Sequence, residues 1–390
     1  MSLSILQTPA TCSLAQSPII FSAYESDSTL YTKTGFQYVC DLYYWTGSLT
    51  NSSSVANYTL VKYPNTSFSG IFDLNRVINS TLTDLAQANT SNVKYFAGDF
   101  YWQYLSGSTY ITGSHTKSAT YKALDGYGIF QEPIGQPISS KTPFWPIMTD
   151  GPATQSAFIE NIGTAGVYVG VANSGSTPDT IKYVGNNGTA NYGLTSTTAT
   201  SGQIAQFPIG PSQSGFPLST TGLTSYTVQA YGGIVPLGLP VKFDITCQQK
   251  YPNIRIKWKN RYGQFDFFNF YMVNRQGFNT TKRTYQPQLG SWQSSTLSYN
   301  NYDSATLNYI SDSTQTLSVN TFWVDEAYNE IFKQLMVSDE IYWLYDEGNS
   351  NSIRPITIRT ESIVFKTNVV DHLIQYSFDF NWGQNYKLII

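Results

Sequence analysis

The chain has two histidines, His115 in Ser114-His115-Thr116 and His372 directly after Asp371. A Ser/His/Asp hydrolase would need one of them beside a serine presented on a Gly-x-Ser-x-Gly turn, and that turn does not occur in the sequence. Two histidines this far apart are also a poor start for a metal set. Paired carboxylates at about 5–9.5 Å are enough for glycoside hydrolysis. The candidates are Asp99, Asp125 and Glu132, or Asp339 and Glu340, and nothing in their spacing selects a pair. No glycine-rich strand-to-helix turn suits a nucleotide phosphate. Cys12, Cys40 and Cys247 are odd in number and widely spaced, so they read as buried free thiols rather than a disulfide or metal framework. The chemistry-bearing residues therefore predict a protein that is not an enzyme and carries no cofactor or metal.

Charge is the more informative pattern. Lys250, Arg255, Lys257, Lys259, Arg261, Arg275, Lys282 and Arg283 hold 8 of the 22 basic residues, opposed within that stretch only by Asp266. Trp258 and Tyr262 interleave with them. Such a cluster suits phosphates and stacked bases, or equally a subunit contact. An acidic block follows: Asp303, Asp312, Asp325, Glu326, Glu330, Asp339, Glu340, Asp346 and Glu347, 9 of the 25 acids. Adjacent blocks of opposite sign suit a head-to-tail contact, in which the basic face of one copy meets the acidic face of the next.

The elements that must carry these residues read as strands. Phe36, Tyr38, Cys40, Leu42 and Tyr44 alternate with Val39, Tyr43 and Trp45, large groups on both faces, as in a central strand covered on two sides. Ile254, Ile256 and Trp258 face one way and Arg255, Lys257 and Lys259 the other, with a turn at Asn260-Arg261-Tyr262-Gly263 and a return over Gln264–Met272. Ile341–Tyr345 and Ile353–Ile358 read as a hairpin, and Ile374, Tyr376, Phe378, Phe380 and Trp382 as one face of a closing strand. Two short helices are predicted. One runs over 73–83, capped by Asp73, with Leu74, Val77, Ile78 and Leu82 in a stripe. The other runs over about 323–336, with Val324, Ala327, Ile331 and Leu335 on one side.

Composition agrees. Charged residues are 12% of the chain, about half the usual ~25%, while aromatics reach 15% and include Tyr 30. Disorder is excluded by the aromatics, a helical bundle by the shortage of helix formers, and a globally basic nucleic-acid binder by the net charge of -3. No run approaches ~18 apolar residues, so membrane insertion is not expected. The first residues have no basic segment, and the N-terminus reads as a mature end rather than a leader. The expected fold is mainly β, with tandem antiparallel β-sandwich-like domains and one or two short docking helices. The regions are an N-terminal domain over 1–135, a middle region over 136–245 with a Pro-rich connector and Ser/Thr/Gly loops, and a C-terminal domain over 246–390.

Three stretches carry a resemblance. They are Gly35-Phe36-Gln37-Tyr38-Val39 through Tyr58-Thr59-Leu60 and Gly70-Ile71-Phe72-Asp73-Leu74; Asn253 through Asp266, similar to a WLNRFGGFD stretch; and Leu335-Met336-Val337-Ser338-Asp339 with Pro355-Ile356-Thr357-Ile358 and the closing strand. With these the chain resembles virion structural proteins of tailed bacteriophages, of the β-rich kind found in tails and connectors. The resemblance implies a structural role in the particle, made in the host cytoplasm, with partners that are copies of itself in a ring or trimer and other tail or connector proteins. It supplies no functional residues. The alternative is a carbohydrate-binding tail adhesin, with Trp102, Trp145 and Trp292 as candidates to stack on host surface glycans. Nucleic acid is the least expected partner.

Overall fold

The computed structural model describes residues 3–46, 55–82, 93–128, 138–169, 177–194, 203–246, 250–345, 353–366 and 374–389. The fold is mainly β, as the composition predicts. It divides into two compact units: Met1–Cys247 with Lys259–Asp266, and Gln248–Trp258 with Phe267–Ile390. The boundary expected near 135 falls among residues outside the described set. No helix among the described residues is long and apolar enough to cross a membrane.

In the first unit, a seven-stranded sheet has Gln37–Trp45 between Val93–Ser106 and Tyr58–Lys62. This strand is central, as its two-faced apolar pattern predicts. Tyr38, Cys40 and Leu42 bury one face among Phe21, Phe72, Ile78, Phe96 and Phe100. The rings of Phe21 and Phe72 lie 5.1 and 5.7 Å from that of Phe100, tilted and edge-on geometries that favour the ring quadrupoles. Strands Ser4–Gln7, Ile20–Tyr24 and Ser69–Asp73 form a second, three-stranded sheet.

A separate core, with Phe144, Val167, Tyr183, Phe207, Tyr226, Val228 and Phe243, lies under a five-stranded and a two-stranded sheet. The polar 172–202 tract contributes the hairpin Thr180–Gly185/Gly188–Gly193. Two of the described strand pairs are parallel: Tyr121–Leu124 with Cys12–Leu14, and Thr154–Ala157 with Val235–Ile245. Cys12 and Cys40 are buried free thiols, and burial pushes the Cys12 thiol up to about 12.

The first helix is shorter than the stripe predicts. It spans Asn75–Asn79, after Asp73 has accepted hydrogen bonds from the Asn75 and Ile19 amides. Its end has a local cause. Ser80 and Thr81 turn their hydroxyls onto the carbonyls of Val77 and Ile78, at 2.8 and 2.6 Å, in competition with continued backbone bonding.

The second unit is built on an eight-stranded sheet. Its path is Phe265–Phe270, Ile254–Lys259, Ile341–Leu344, Ile353–Ile358, Ser377–Trp382, Leu307–Asn320 and Arg275–Tyr285, with Lys387–Ile389 added to Leu307–Asn320. The expected hairpin is present, with Ile341 opposite Ile356. The predicted 323–336 helix begins instead as a 3-10 turn at Glu326–Tyr328 and runs as α-helix over Asn329–Val337. Asp325 accepts the Ala327 amide at 2.8 Å and so caps it. Ile331, Phe332 and Leu335 dock it on a core containing Trp258, Phe268 and Phe378. Each of those side chains contributes about 1.5–3 kcal/mol of apolar burial.

Candidate assembly surface and aromatic cleft

The strand Ile254–Lys259 alternates as predicted, but it has no solvated face. Ile254, Ile256 and Trp258 join the core, and Arg255, Lys257 and Lys259 on the other side are also buried, as is Arg261 in the turn. Half of the predicted basic patch is therefore withdrawn from the surface. A period-2 pattern distinguishes two faces, but it does not show that the charged face meets water. The physical reason these cations tolerate burial is that each has a fixed polar or aromatic neighbour. Arg255 donates to Asn269 Oδ1 at 3.1 Å and lies 4.7 Å from the centre of the Phe267 ring. Lys257 lies 5.2 Å from the Tyr342 ring centre. Burial pulls its pKa down to about 8, against the opposing pull of Glu340.

The turn residues 259–266 make a closed polar cluster within the first unit. Lys259 Nζ meets Asp125 at 2.9 Å, and Arg261 pairs with Asp150. Tyr262 Oη donates to Asp150 at 2.6 Å. Asn260 organises the turn: its Oδ1 accepts the Tyr262 and Gln264 amides, and its Nδ2 donates to Met148 O and Asp266 Oδ2. This gathering of carboxylates, cations and a phenol has the residue types of an active site. Its members are spent on one another and buried, which suits a structural clasp.

Asp266 is the member with a pH signature. Burial raises its carboxyl to about 7, with Thr149 and Asn260 pulling down and Asp150 adding to the rise. A raised acid costs nothing while both states are protonated. Between about pH 4 and pH 7 the unfolded chain loses this proton first, so stability drains as pH rises, by on the order of 4 kcal/mol at full ionisation. Asp266→Asn keeps the shape without the charge. The stability gap between variant and parent, from urea midpoints, is expected to widen in the variant's favour from pH 4 to pH 7; parallel profiles would refute the assignment.

The exposed remainder of the basic set is Lys250, Arg275, Lys282 and Arg283. Of the acids, Asp303, Asp312, Asp325, Glu326 and Asp339 are exposed, and Asp312 lies 3.7 Å from Lys387. Glu330 and Glu340 are half-buried, Glu330 paired with Lys333 at 3.2 Å and Glu340 accepting from Tyr342 Oη at 3.1 Å. Asp346 and Glu347 lie outside the described residues, as do Glu132, His372 and Cys247. His115 sits half-exposed, 3.2 Å from Asp99 and over the Tyr101 ring. Asp125 is buried and held by Lys259. Among the described residues no group of histidines, cysteines and carboxylates could hold a metal.

Arg275, Lys282 and Arg283 lie on an element that sequence reading missed. Arg275–Tyr285 pairs with Leu307–Asn320 in a long antiparallel arm, closed by the loop 286–306. Phe278, Tyr285, Trp292, Leu297, Tyr299 and Tyr302 are all exposed on it. The loop holds itself by local polar bonds. Trp292 Nε1 donates to Leu289 O at 2.7 Å, and the Ser291 amide donates to Ser298 O at 3.0 Å. The remaining adhesin candidates differ from Trp292: Trp145 is buried, and Trp102 is half-buried and donates to Glu25 at 3.1 Å.

Where the arm strand Leu307–Asn320 meets Ser377–Trp382 there is a cleft of about 380 Å³, lined by Gln315, Arg354, Pro355, Trp382, Gln384, Asn385 and Tyr386. Arg354 lies with its guanidinium 4.2 Å from the Tyr345 ring centre and 4.7 Å from that of Trp382. The Trp382 ring is in turn 5.5 Å from Trp343, edge-on. No family model matches the chain, and no curated protein matches it.

Proposed function

We propose that the chain is a non-enzymatic building block of a tailed-phage virion, a tail or head-to-tail connector subunit that works by assembly with copies of itself. The observation that carries this is the arm. The base of the strand pair joins the core through Leu317 and Val319, but its outer part exposes Phe278, Tyr285, Trp292, Leu297, Tyr299 and Tyr302. So many large apolar side chains exposed on one element mark a contact site. Aromatic residues are the ones enriched in the centres of protein interfaces. The chemistry of the occupant follows from charge. The arm carries exposed Arg275, Lys282 and Arg283 together with Asp303 and Asp312, and the same unit exposes Asp325, Glu326 and Asp339. Surfaces of opposite sign on one chain favour a heterologous contact, which closes into a ring when the rotation permits. The resemblance to tail and connector proteins directs the same reading to the virion.

The test is light scattering with negative-stain imaging of the purified protein. A closed oligomer that loosens as salt rises is expected, because exposed charge pairs are screened over about 10 Å at 0.1 M. Replacing 284–308 by a short turn is expected to leave monomers that retain the hydrogen-exchange protection of the rest of the sheet. Lys282→Glu with Arg283→Glu is expected to weaken association at least tenfold, and Asp325→Lys with Glu326→Lys in a partner population to recover part of it. A parent protein that stays monomeric at high concentration, or an oligomer indifferent to loss of the arm, would overturn the proposal.

A further inference from the structure

We infer that the cleft between Arg354 and Tyr386 is a binding site for an acidic saccharide, a sugar bearing a carboxylate. This inference is independent of the assembly role of the arm. Four features support it.

The first is a cation without an acid. Arg354 is half-buried, and no ion pair to a carboxylate is made by it among the described residues. None of the residues lining the cleft is Asp or Glu. The second is the aromatic setting of that cation. The guanidinium carbon lies 4.2 and 4.7 Å from the centres of the Tyr345 and Trp382 rings, and contact with rings consumes none of its N–H donors. A guanidinium with donors to spare matches a carboxylate in two parallel hydrogen bonds.

The third feature is the aromatic wall. Trp382 and Tyr386 both line the cleft, and Tyr386 is 73% exposed. The Tyr386 ring has the Phe278 ring beside it, 6.2 Å away. Flat, exposed rings suit the C–H face of a pyranose, which is apolar on one side and hydroxylated at its rim. The fourth is the amides. The side chains of Gln315 and Gln384 line the cleft and make no hydrogen bond within the described residues, so each offers a donor and an acceptor to neighbouring hydroxyls. Asn385 has a different job: its Oδ1 accepts the Gln315 amide at 3.1 Å and so shapes the wall. A volume of about 380 Å³ is at the small end of ligand sites and fits one or two sugar rings. An acidic peptide could also satisfy Arg354, and the polyanion control below separates it from a sugar.

The experiment uses the full-length protein and follows tryptophan fluorescence and calorimetry. The solution probes are a hyaluronan hexasaccharide and a sialic acid trimer, with glucose hexasaccharide as the neutral control and a hexaglutamate peptide as the polyanion control. Saturable binding of at least one acidic saccharide is expected, with the neutral control at least tenfold weaker. Arg354→Gln is expected to weaken binding about tenfold or more, the scale of one charge-assisted pair. Tyr386→Ala and Gln384→Ala, both at exposed positions, are expected to weaken it about threefold to tenfold without changing the urea midpoint. A free monosaccharide acid that binds as tightly as the oligomer assigns the site to a single residue; a steep gain with length assigns it to a chain, and either supports the proposal. It is overturned if no acidic saccharide binds at millimolar concentration, if hexaglutamate binds as well as the sugars, or if binding is unmoved by Arg354→Gln and Tyr386→Ala.

Discussion

Methionine in place of Arg261 is expected to remove about 3–5 kcal/mol of stability from the first unit. Methionine fills much the same volume, so the loss is not a cavity effect. It is electrostatic. Arg261 and Asp150 are both almost fully buried and face each other as an ion pair, with Tyr262 donating to the same carboxylate. Burial works against the charged guanidinium, but Asp150 and Tyr262 outweigh it and hold its pKa above the ordinary value. The Tyr262 phenol is likewise held above its usual range, by burial first and then by Asp150. Taking away the arginine leaves Asp150 as an uncompensated buried charge, which must stay desolvated or take up a proton. The measurement is the protection of the Tyr127 and Gln264 amides against hydrogen exchange, with urea as the variable. Asp150→Asn alone is expected to be nearly as damaging. Arg261→Met with Asp150→Leu is expected to regain most of the loss, because a well-packed apolar pair often matches a buried ion pair. A cost under about 1 kcal/mol for Arg261→Met would show that Asp150 reaches water when the arginine is gone.

This buried cluster also shows where the sequence was readable. The face of Ile254–Lys259 that carries Ile254, Ile256 and Trp258 was legible because alternation is a property of the strand alone. The opposite face was not, since its partners come from other stretches: Asn269 for Arg255, Tyr342 for Lys257 and Asp125 for Lys259. The closing strand was readable for the same local reason, and Phe378 and Phe380 are fully buried as its pattern predicts. The arm was illegible because its first strand, Arg275–Tyr285, buries no residue. Arg275-Gln276-Gly277-Phe278-Asn279-Thr280-Thr281-Lys282 has no apolar side to alternate with a polar one. Its strand pairing rests on backbone bonds and on the β preference of threonine. The cleft is assembled from Gln315, Arg354 and Trp382, which meet only because Ser377–Trp382 pairs with both Leu307–Asn320 and Ile353–Ile358. That order is a tertiary fact, and no single stretch of sequence contains it.

Alanine at Gly263 is expected to be the most damaging of three glycine substitutions, at about 3–5 kcal/mol. Two separate costs meet there. The backbone sits at φ +73°, in the left-handed region, where a side chain adds about 1–2 kcal/mol. A Cβ at that position would also lie 1.6 Å from the Asp125 carbonyl oxygen, so one of two backbones must move. Such overpacking typically adds about 1–3 kcal/mol. The opposing chain has no slack to give. Gly126 also approaches closely from its own side, where a Cβ would lie 2.2 Å from Arg261 O. The Tyr127 amide also donates to that same carbonyl at 2.9 Å. Moving Asp125 would further strain its pairing with Lys259. The two costs can be separated within this protein. Gly107 has φ +66° with nothing within 4 Å of its would-be Cβ, so Gly107→Ala reports the backbone cost alone. Gly126→Ala, where no left-handed φ is involved, reports the steric cost alone. The expected order of urea midpoints is parent, Gly107→Ala, Gly126→Ala and then Gly263→Ala, lowest of all. If Gly263→Ala proves no worse than Gly107→Ala, the two backbones are not locked together, and the turn at 259–266 is held by its side-chain pairs alone.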